Sequence, residues 1–329
     1  MAELLVLSRA DLKRILSLEE TIAAVEEGFI SYAQKSARIF PVVREPIPEF
    51  HAMFGMKSGY IEKSHLLGTK IAGYWPGNRE NQYEPHQAII ILLDPATGVP
   101  YFLSDGNYIT QIRTAAAGSL ALQHLARKDA SVAAILGTGV QGQGQAAALL
   151  TTLKLIKEIR LFDPIEEAVQ KIMKVITAIN ENVSLVHAST PEEAVRGAEV
   201  VITCTPSQQM IVKSEWIEAG THISAFGADT KGKQELDPEL FTRAKIVVDD
   251  TVQARALGDT QHAVNKGLIK IEDIHAELGE ILSGKKSGRT SSDEITIFDA
   301  TGLSVQDLAA AGRAFELAKK KKIGTHVEI

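Results

Sequence analysis

The sequence has one cysteine, no long apolar run and no excess of basic charge. Cys204 is the single cysteine among 329 residues and cannot form an internal disulfide, which favours a reducing, cytoplasmic location. The longest apolar stretches, such as 88–93, fall far short of the roughly 20 residues that cross a bilayer, so no membrane span is expected. The 35 basic and 41 acidic residues leave a net charge of −6, which argues against binding to nucleic acid or anionic membranes.

The composition and the first half of the pattern indicate a globular protein of more than one domain. Apolar residues make up 45% of the chain and charged residues 23%, and at roughly 100–200 residues per domain the length predicts about two domains. Up to about residue 112, a helix at 19–33 is mixed with strands at 68–74 and 88–93. An Ala- and Leu-rich connecting helix is predicted at 114–127.

From residue 131 onward, strands alternate with helices. The predicted strands are 131–136, 158–162, 200–204, 222–226, 245–248 and 294–298, with helices at 141–153, 165–179 and 304–319 among them. Such alternation predicts a mostly parallel sheet with helices on both faces. We therefore expect an α/β fold in which a Rossmann-type doubly wound sheet, residues 115–302, is inserted into a smaller α+β domain of residues 1–114 plus 303–329.

A glycine-rich turn follows the first predicted strand of the inserted domain and opens a helix. In the sequence Gly137-Thr-Gly139-Val140-Gln141-Gly142, the first glycine permits the tight turn and the second lets a pyrophosphate approach the backbone. The third glycine allows close packing of helix on strand, and the helix N-terminus supplies N–H donors. This context favours dinucleotide binding over a glycine turn without a ligand.

Asp163 ends the next predicted strand, where a carboxylate can accept both ribose hydroxyls and repel a 2′-phosphate. NAD(H) is therefore favoured over NADP(H), the alternative being a turn-forming Asp before proline. Two further loops, 203–207 and 226–229, follow strand ends on the side where such sheets bind ligands. Within the first of them, Cys204 is interpreted as a small buried hydrophobe rather than a nucleophile.

Three cations of the predicted first domain are candidates for binding an anionic ligand. Arg44 lies in a predicted loop, Lys70 in a strand that looks half buried, and Arg113 at the start of the long helix. Taken singly, each such cation is more often a salt-bridge partner than a ligand contact.

Together, five segments resemble the ornithine cyclodeaminase/mu-crystallin family over nearly the whole chain. They are 68–78 (GTKIAGYWPGN), 109–117 (ITQIRTAAA), 137–142 (GTGVQG), 227–237 (GADTKGKQELD) and 295–307 (ITIFDATGLSVQD). The resemblance implies a homodimer whose first domain binds substrate and pairs the subunits, beside a Rossmann domain that binds NAD. The sequences of these motifs are most similar to those of the iminosuccinate reductase and archaeal alanine dehydrogenase members.

The resemblance also implies roles for individual residues. Arg44, Lys70 and Arg113 would hold a substrate α-carboxylate, and Asp229 would act as acid and base at the α-nitrogen, with Lys70 sharing proton transfer. The alternative for Asp229 is a turn-capping side chain. The positions matching dinucleotide contacts are Arg113, Gly137, Gly139, Val140, Gln141, Gly142, Asp163, Thr205, Pro206, Phe226, Gly227, Ala228, Asp229, Lys233 and Thr301.

The sequence favours one of three reactions known in such a family. A cyclodeaminase must neutralise the second ammonium of ornithine, but no acidic residue lies between Glu49 and Glu62, where Lys57 stands instead. We therefore expect NADH-dependent reduction of a 2-imino acid, or reductive amination of a 2-oxo acid, to an L-amino acid. Lys57, His86 and His262 are candidates for binding a second carboxylate. Cyclodeamination and ligand binding without turnover remain the alternatives, and no residue spacing suggests a metal site.

Overall fold

The computed structural model describes residues 3–329, except the side chain of Arg79. The described chain forms two compact units. The first comprises the residues up to Ala116 together with Leu303–Ile329, and the second comprises Ala117–Gly302. None of the helices within residues 3–329 has the length and apolar character needed to cross a membrane.

The strands, in chain order, are β1 Glu3–Leu7, β2 Ala37–Ile39, β3 Val43–Ile47, β4 Ala52–Ile61, β5 Leu66–Tyr74, β6 His86–Leu93, β7 Pro100–Asp105, β8 Val132–Leu136, β9 Glu158–Phe162, β10 Ser184–His187, β11 Val200–Thr203, β12 Gln208–Val212, β13 His222–Ala225, β14 Gln234–Leu236, β15 Ala244–Val248, β16 Ala276–Glu277, β17 Ile295–Asp299 and β18 Thr325–Glu328.

The α-helices are α1 Arg9–Ile15, α2 Leu18–Ala33, α3 Gly106–Leu125, α4 Val140–Thr152, α5 Glu166–Ile179, α6 Pro191–Val195, α7 Thr251–Leu257, α8 Thr260–Asn265, α9 Leu278–Leu282 and α10 Ser304–Lys321. Short 3-10 helices occur at Pro48–Phe50, Pro76–Asn81, Ser214–Trp216, Pro238–Thr242 and Ile271–Asp273.

The first unit is built on one mixed sheet. Its strand order is β18-β1-β7-β6-β5-β4-β2, and β3 pairs with the other half of the long strand β4. All neighbours are antiparallel except β1 and β7. Helix α10 packs against α2 and against β4, β5 and β6, so one face of this sheet is covered within the unit.

The second unit is built on a parallel sheet with the order β10-β9-β8-β11-β13-β17-β15-β16. Alternate residues of β8 enter different cores: Ala133 and Ile135 pack with helices α4 and α5, whereas Ala134 and Leu136 pack with α6 and the later strands. Two apolar faces require helices on both sides. The predicted doubly wound α/β fold is therefore confirmed.

Three expectations about local structure need correction. The connecting helix begins at Gly106 rather than at 114, because Asp105 ends β7 and its carboxylate accepts the N–H of Tyr108 in the first turn, 2.7 Å away. Arg113 consequently lies inside α3 and not at its start. Arg44 lies in strand β3 and not in a loop, because this segment pairs with β4. The short strands β10, β12 and β14 were missed, since they carry too few apolar residues to show a pattern.

Candidate active site

The glycine turn of the second unit has the backbone geometry of a dinucleotide-binding turn. Gly137 has a φ of +90°, and a Cβ there would come within 2.7 Å of the carbonyl oxygen of Cys204. Around Gly139, in contrast, nothing lies within 4 Å of the Cβ position, which leaves the backbone open to a ligand. Helix α4 begins at Val140 without a side-chain cap, and the N-terminus of a helix favours an anionic group.

Gln141, in the first turn of α4, is a second feature that points to a bound ligand. Its buried Oε1 atom has no hydrogen-bond partner among the described residues. An orphaned buried acceptor is costly, and a bound molecule with a donor would remove that cost. The turn and this side chain therefore fit a dinucleotide.

We expect Gly139→Ala and Gly137→Ala to separate ligand binding from folding. Alanine at position 139 fits the observed φ of −66° and meets no neighbour, so thermal stability should stay near wild type while the dissociation constant for NADH rises about tenfold or more. Alanine at 137 needs a left-handed conformation and meets Cys204, so the protein should lose about 1–3 kcal/mol of stability or more. Calorimetric melting and fluorescence titration with NADH measure both; unchanged NADH binding by the first variant would contradict a pyrophosphate at Gly139.

Asp163 holds the glycine turn in place. Its Oδ2 accepts the N–H of Thr138 at 2.8 Å and the Thr138 hydroxyl at 3.1 Å, and its Oδ1 accepts the N–H of Ile165 at 2.9 Å. The turn-forming role that sequence analysis gave as the alternative is thus present, and the ribose contact stays a prediction. Arg160 pairs with Glu158 at 2.6 Å, which directs its guanidinium away from the end of β9.

Two loops after β11 and β13 carry further predicted contacts. Thr205 and Pro206 lie in the first loop, and Phe226 to Asp229 in the second, where Phe226 makes an edge-to-face contact with Phe298. Thr301 follows β17 and donates its hydroxyl to Asp249 at 2.9 Å. All these residues stand at the carboxyl edge of the parallel sheet, which is where α/β sheets bind ligands.

Asp229 is half buried and belongs to a small polar cluster in the second unit. Its Oδ1 accepts hydrogen bonds from the Nζ of Lys233 at 2.8 Å and from the hydroxyl of Thr230 at 3.1 Å. His262 donates its Nε2 proton to the carbonyl oxygen of Lys233 at 2.8 Å. His262 therefore supports the backbone of the segment that carries Asp229.

The first unit contains a buried charged cluster formed by Lys70, Arg113 and Asp307. The Lys70 Nζ lies 2.9 Å from Oδ1 and 2.8 Å from Oδ2 of Asp307, and Arg113 Nε donates to Oδ1 at 3.0 Å. Arg113 Nη1 donates to Gln306 at 2.7 Å. Lys70 is only 4% exposed, Arg113 8% and Asp307 0%.

The charges in this cluster set the ionisation of their neighbours. Burial by itself would raise the pKa of Asp307, but the positive charges of Lys70 and Arg113 outweigh it, so this pKa lies below its usual value. Burial, followed by the charge of Lys70, lowers the pKa of His86 and keeps its imidazole neutral at pH 7.

Two glycines bring α10 close enough for Asp307 to reach Lys70. Gly59 and Gly68 are opposite each other in β4 and β5. A Cβ at Gly59 would lie 2.7 Å from the Ser304 hydroxyl, and one at Gly68 would lie 3.0 Å from a methyl group of Leu308. Larger residues would push the N-terminal turn of α10 away from the sheet.

Strand register places the other predicted cations on the same sheet face. Lys57 is directly opposite Lys70, and Arg44 is opposite Gly55, two residues from Lys57. His86 is opposite Tyr74 on that face, with its Nδ1 3.0 Å from the Asn107 side chain. The structure thus brings Arg44, Lys57, Lys70 and His86 to one face, while His262 belongs to the second unit.

Sequence analysis missed Asp307 and Gln306, although both stand in the quoted segment 295–307. The available signal was a run of polar residues at the start of an otherwise apolar helix. Among the described residues, no group of three or more His, Cys, Asp or Glu side chains has the geometry to hold a metal ion.

Comparison with known proteins decides the family. The model of the ornithine cyclodeaminase/mu-crystallin family matches residues 2–322. The chain belongs to this family. The predicted resemblance is therefore confirmed, and it extends over almost the entire chain.

Solved structures of this family superpose closely on the chain. An archaeal alanine dehydrogenase, described as a dimer with bound NAD, is 39% identical, with a TM-score of 0.92 and 99% of each chain covered. The iminosuccinate reductase of Paracoccus denitrificans with NAD+ is 35% identical, with a TM-score of 0.92 and coverage of 99% of this chain and 100% of the other. The Δ1-pyrroline-2-carboxylate reductase of Thermococcus litoralis, with NADH and L-proline, is 31% identical, with a TM-score of 0.94 and coverage of 98% and 100%.

Proposed function

We propose that this protein is an NADH-dependent reductase that converts a small 2-imino acid, preformed or generated from a 2-oxo acid and ammonia, into an L-amino acid. The relatives described as alanine dehydrogenase, iminosuccinate reductase and pyrroline-2-carboxylate reductase support this reaction class. The observation that carries the proposal is the buried cluster of Lys70, Arg113 and Asp307.

This cluster suits a carboxylate because its cations are buried and fixed in direction. Nε and Nη1 of Arg113 donate hydrogen bonds to Asp307 and Gln306, and these two bonds fix the orientation of the planar guanidinium. Lys57, Lys70 and Arg113 place three positive charges around the carboxylate of Asp307. A substrate carboxylate would bind to Lys70, Arg113 and Arg44 and so fix the neighbouring imine carbon.

The second unit would bind the cofactor. Gly137, Gly139, Val140, Gln141 and Gly142 would hold the pyrophosphate at the start of α4. The residues of the second unit that would hold the remainder are Asp163, Thr205, Pro206, Phe226, Gly227, Ala228, Asp229, Lys233 and Thr301. Arg113 is the one proposed cofactor contact from the first unit. Asp163 and the pairing of Arg160 with Glu158 favour NAD(H) over NADP(H). When bound, the reduced nicotinamide supplies a hydride.

Asp229 would donate a proton to the imine nitrogen as the imine is reduced to an amine. Lys233 and Thr230 donate hydrogen bonds to its Oδ1, which holds the carboxylate in one orientation. Lys70 would share proton transfer, with Asp307 as its counter-ion.

The charges favour a substrate with an anionic side chain. Lys57 stands opposite Lys70, and no acidic residue between Glu49 and Glu62 could neutralise a second ammonium. His86 lies on the same face, and its Nδ1 proton is donated to Asn107 Oδ1, so it would donate to a second carboxylate from Nε2 once the ring is protonated. His262 is the third candidate for binding that carboxylate. It belongs to the second unit, where its ring is hydrogen-bonded to the carbonyl oxygen of Lys233.

We also propose that the protein is a cytoplasmic homodimer, with residues 1–114 and 303–329 binding substrate and pairing the subunits and 115–302 binding NAD. The dimeric alanine dehydrogenase supports the pairing. Val43, Met56, Ile71 and Ile89 supply an apolar surface on the face of the first sheet that α10 does not cover.

An assay of NADH consumption tests the reaction. We expect turnover with oxaloacetate plus ammonia or with iminosuccinate, slower turnover with pyruvate plus ammonia, and neither proline nor ammonia from ornithine. Proline formation without net NADH consumption would instead identify a cyclodeaminase. Tight NADH binding without any turnover would identify a ligand-binding protein.

A further inference from the structure

Glu235 is a fully buried carboxylate to which the proposed reaction assigns no role. It lies in β14, and its side chain accepts four hydrogen bonds from the loops after β11 and β13. Oε1 accepts the N–H and the hydroxyl of Thr205 at 2.6 and 2.7 Å. Oε2 accepts the hydroxyl of Thr203 and the N–H of Gly227, both at 2.7 Å.

Glu235 is itself held in position by two further buried carboxylates. The Oδ1 of Asp259 accepts the N–H groups of Glu235 and Leu236 at 2.8 and 2.9 Å. Asp299, at the end of β17, accepts the N–H of Asp259 at 3.1 Å. A continuous chain of hydrogen bonds therefore runs from β17 to the two loops.

The two loops require a hydrogen-bond acceptor at each of the two side-chain oxygens of Glu235. Each carboxylate oxygen of Glu235 receives one backbone N–H, and a backbone N–H cannot rotate to become an acceptor. A glutamine would place its NH₂ group against one of them and leave that buried N–H without a partner. Burial raises the pKa of Glu235 and the four donors oppose this rise, so the ionised form depends on the loops that it fixes.

We infer that Glu235 is a positioning residue for the dinucleotide: its carboxylate fixes Thr205 and Gly227, and with them the two loops that carry the predicted contacts 205–206 and 226–229. The inference rests on the proposed NAD-binding role of these loops. Small displacements of binding groups cost large factors in affinity and rate, so the clamp matters although Glu235 touches no ligand.

The test compares Glu235→Gln with Asp237→Asn, two residues along the chain. Asp237 shows the same pattern, because its two oxygens accept the N–H groups of Glu239 and Ser214, both at 3.1 Å, but it holds neither loop. Both variants lose an acid and one acceptor of a backbone N–H. We expect both to melt earlier, whereas only Glu235→Gln should weaken NADH binding, by about tenfold or more, in titrations well below both melting temperatures.

The same weakening of NADH binding in both variants, or in neither, would overturn the inference and leave Glu235 a structural residue. Should Glu235→Gln not fold, Glu235→Asp serves instead: it keeps the charge, but its shorter side chain cannot span both loops. Wild-type NADH affinity in Glu235→Asp would also overturn the inference. Because NADH titration needs no substrate, the result stands even if the proposed imine reduction is not observed.

Discussion

Asp229→Asn should lower kcat by roughly 10³-fold, because an amide cannot exchange the proton that the imine nitrogen takes up. The substitution is conservative: the asparagine Oδ1 can still accept hydrogen bonds from Lys233 and Thr230. The dissociation constant for NADH should therefore change little. Steady-state kinetics with an imino acid and fluorescence titration with NADH measure the two quantities separately.

Asp237→Asn is the matched control for this experiment. It makes the same acid-to-amide change in the same part of the chain, at a side chain that bonds Ser214 and Glu239 and has no proposed part in the reaction. Its turnover should remain near wild type. Turnover near wild type in Asp229→Asn as well would remove Asp229 from the mechanism.

Lys70→Met should lower kcat/KM by on the order of 10²–10³-fold, because truncating one partner of a buried charge cluster removes several kcal/mol of carboxylate binding. The same change leaves buried Asp307 with Arg113 as its ion-pair partner, so a stability loss of about 1.5–3 kcal/mol is expected from the lost hydrogen bond to a charged group. NADH binding should stay near wild type, since the glycine turn belongs to the second unit.

The same substitution made in an Asp307→Asn background separates the two effects. In that background Lys70 and Arg113 are two buried cations that have lost their carboxylate, so Lys70→Met removes a repulsion and should raise the melting temperature instead of lowering it. The kcat/KM should fall in both backgrounds, because the donor to the substrate is missing in both. An unchanged kcat/KM on adding Lys70→Met to Asp307→Asn would show that Lys70 serves stability alone and would leave the substrate carboxylate to Arg44 and Arg113.

The second unit was the more predictable part of the fold. Its central strands, such as β8, β11 and β17, are buried on both faces and alternate with helices, so their apolar runs mark them directly in the sequence. The glycines at 137, 139 and 142 were equally visible, because a positive φ or a close approach leaves few alternatives to glycine. In the first unit, β3, β4 and β7 went unrecognised, since half-exposed strands that mix polar, charged and proline residues lack a clean alternation.

The contacts of the candidate site were less predictable than its residues. Arg44, Lys70 and Arg113 were found by family resemblance, yet their partner Asp307 lies 237 residues beyond Lys70 and was not identified. Glu235 was likewise overlooked, because a glutamate in a short polar segment looks like a surface residue until the strands that bury it are assembled.

By itself, the sequence determined the family, the doubly wound sheet, the glycine turn at 137–142 and the cations proposed to bind a carboxylate, because each depends on local spacing or backbone conformation. The tertiary structure alone decided which charges meet. Lys57 faces Lys70 only through strand register, and Asp307 reaches Lys70 only because Gly59 and Gly68 let a distant helix approach the sheet. Electrostatic interactions act through space, so the charge balance and ionisation of the site depend on packing that no local pattern records.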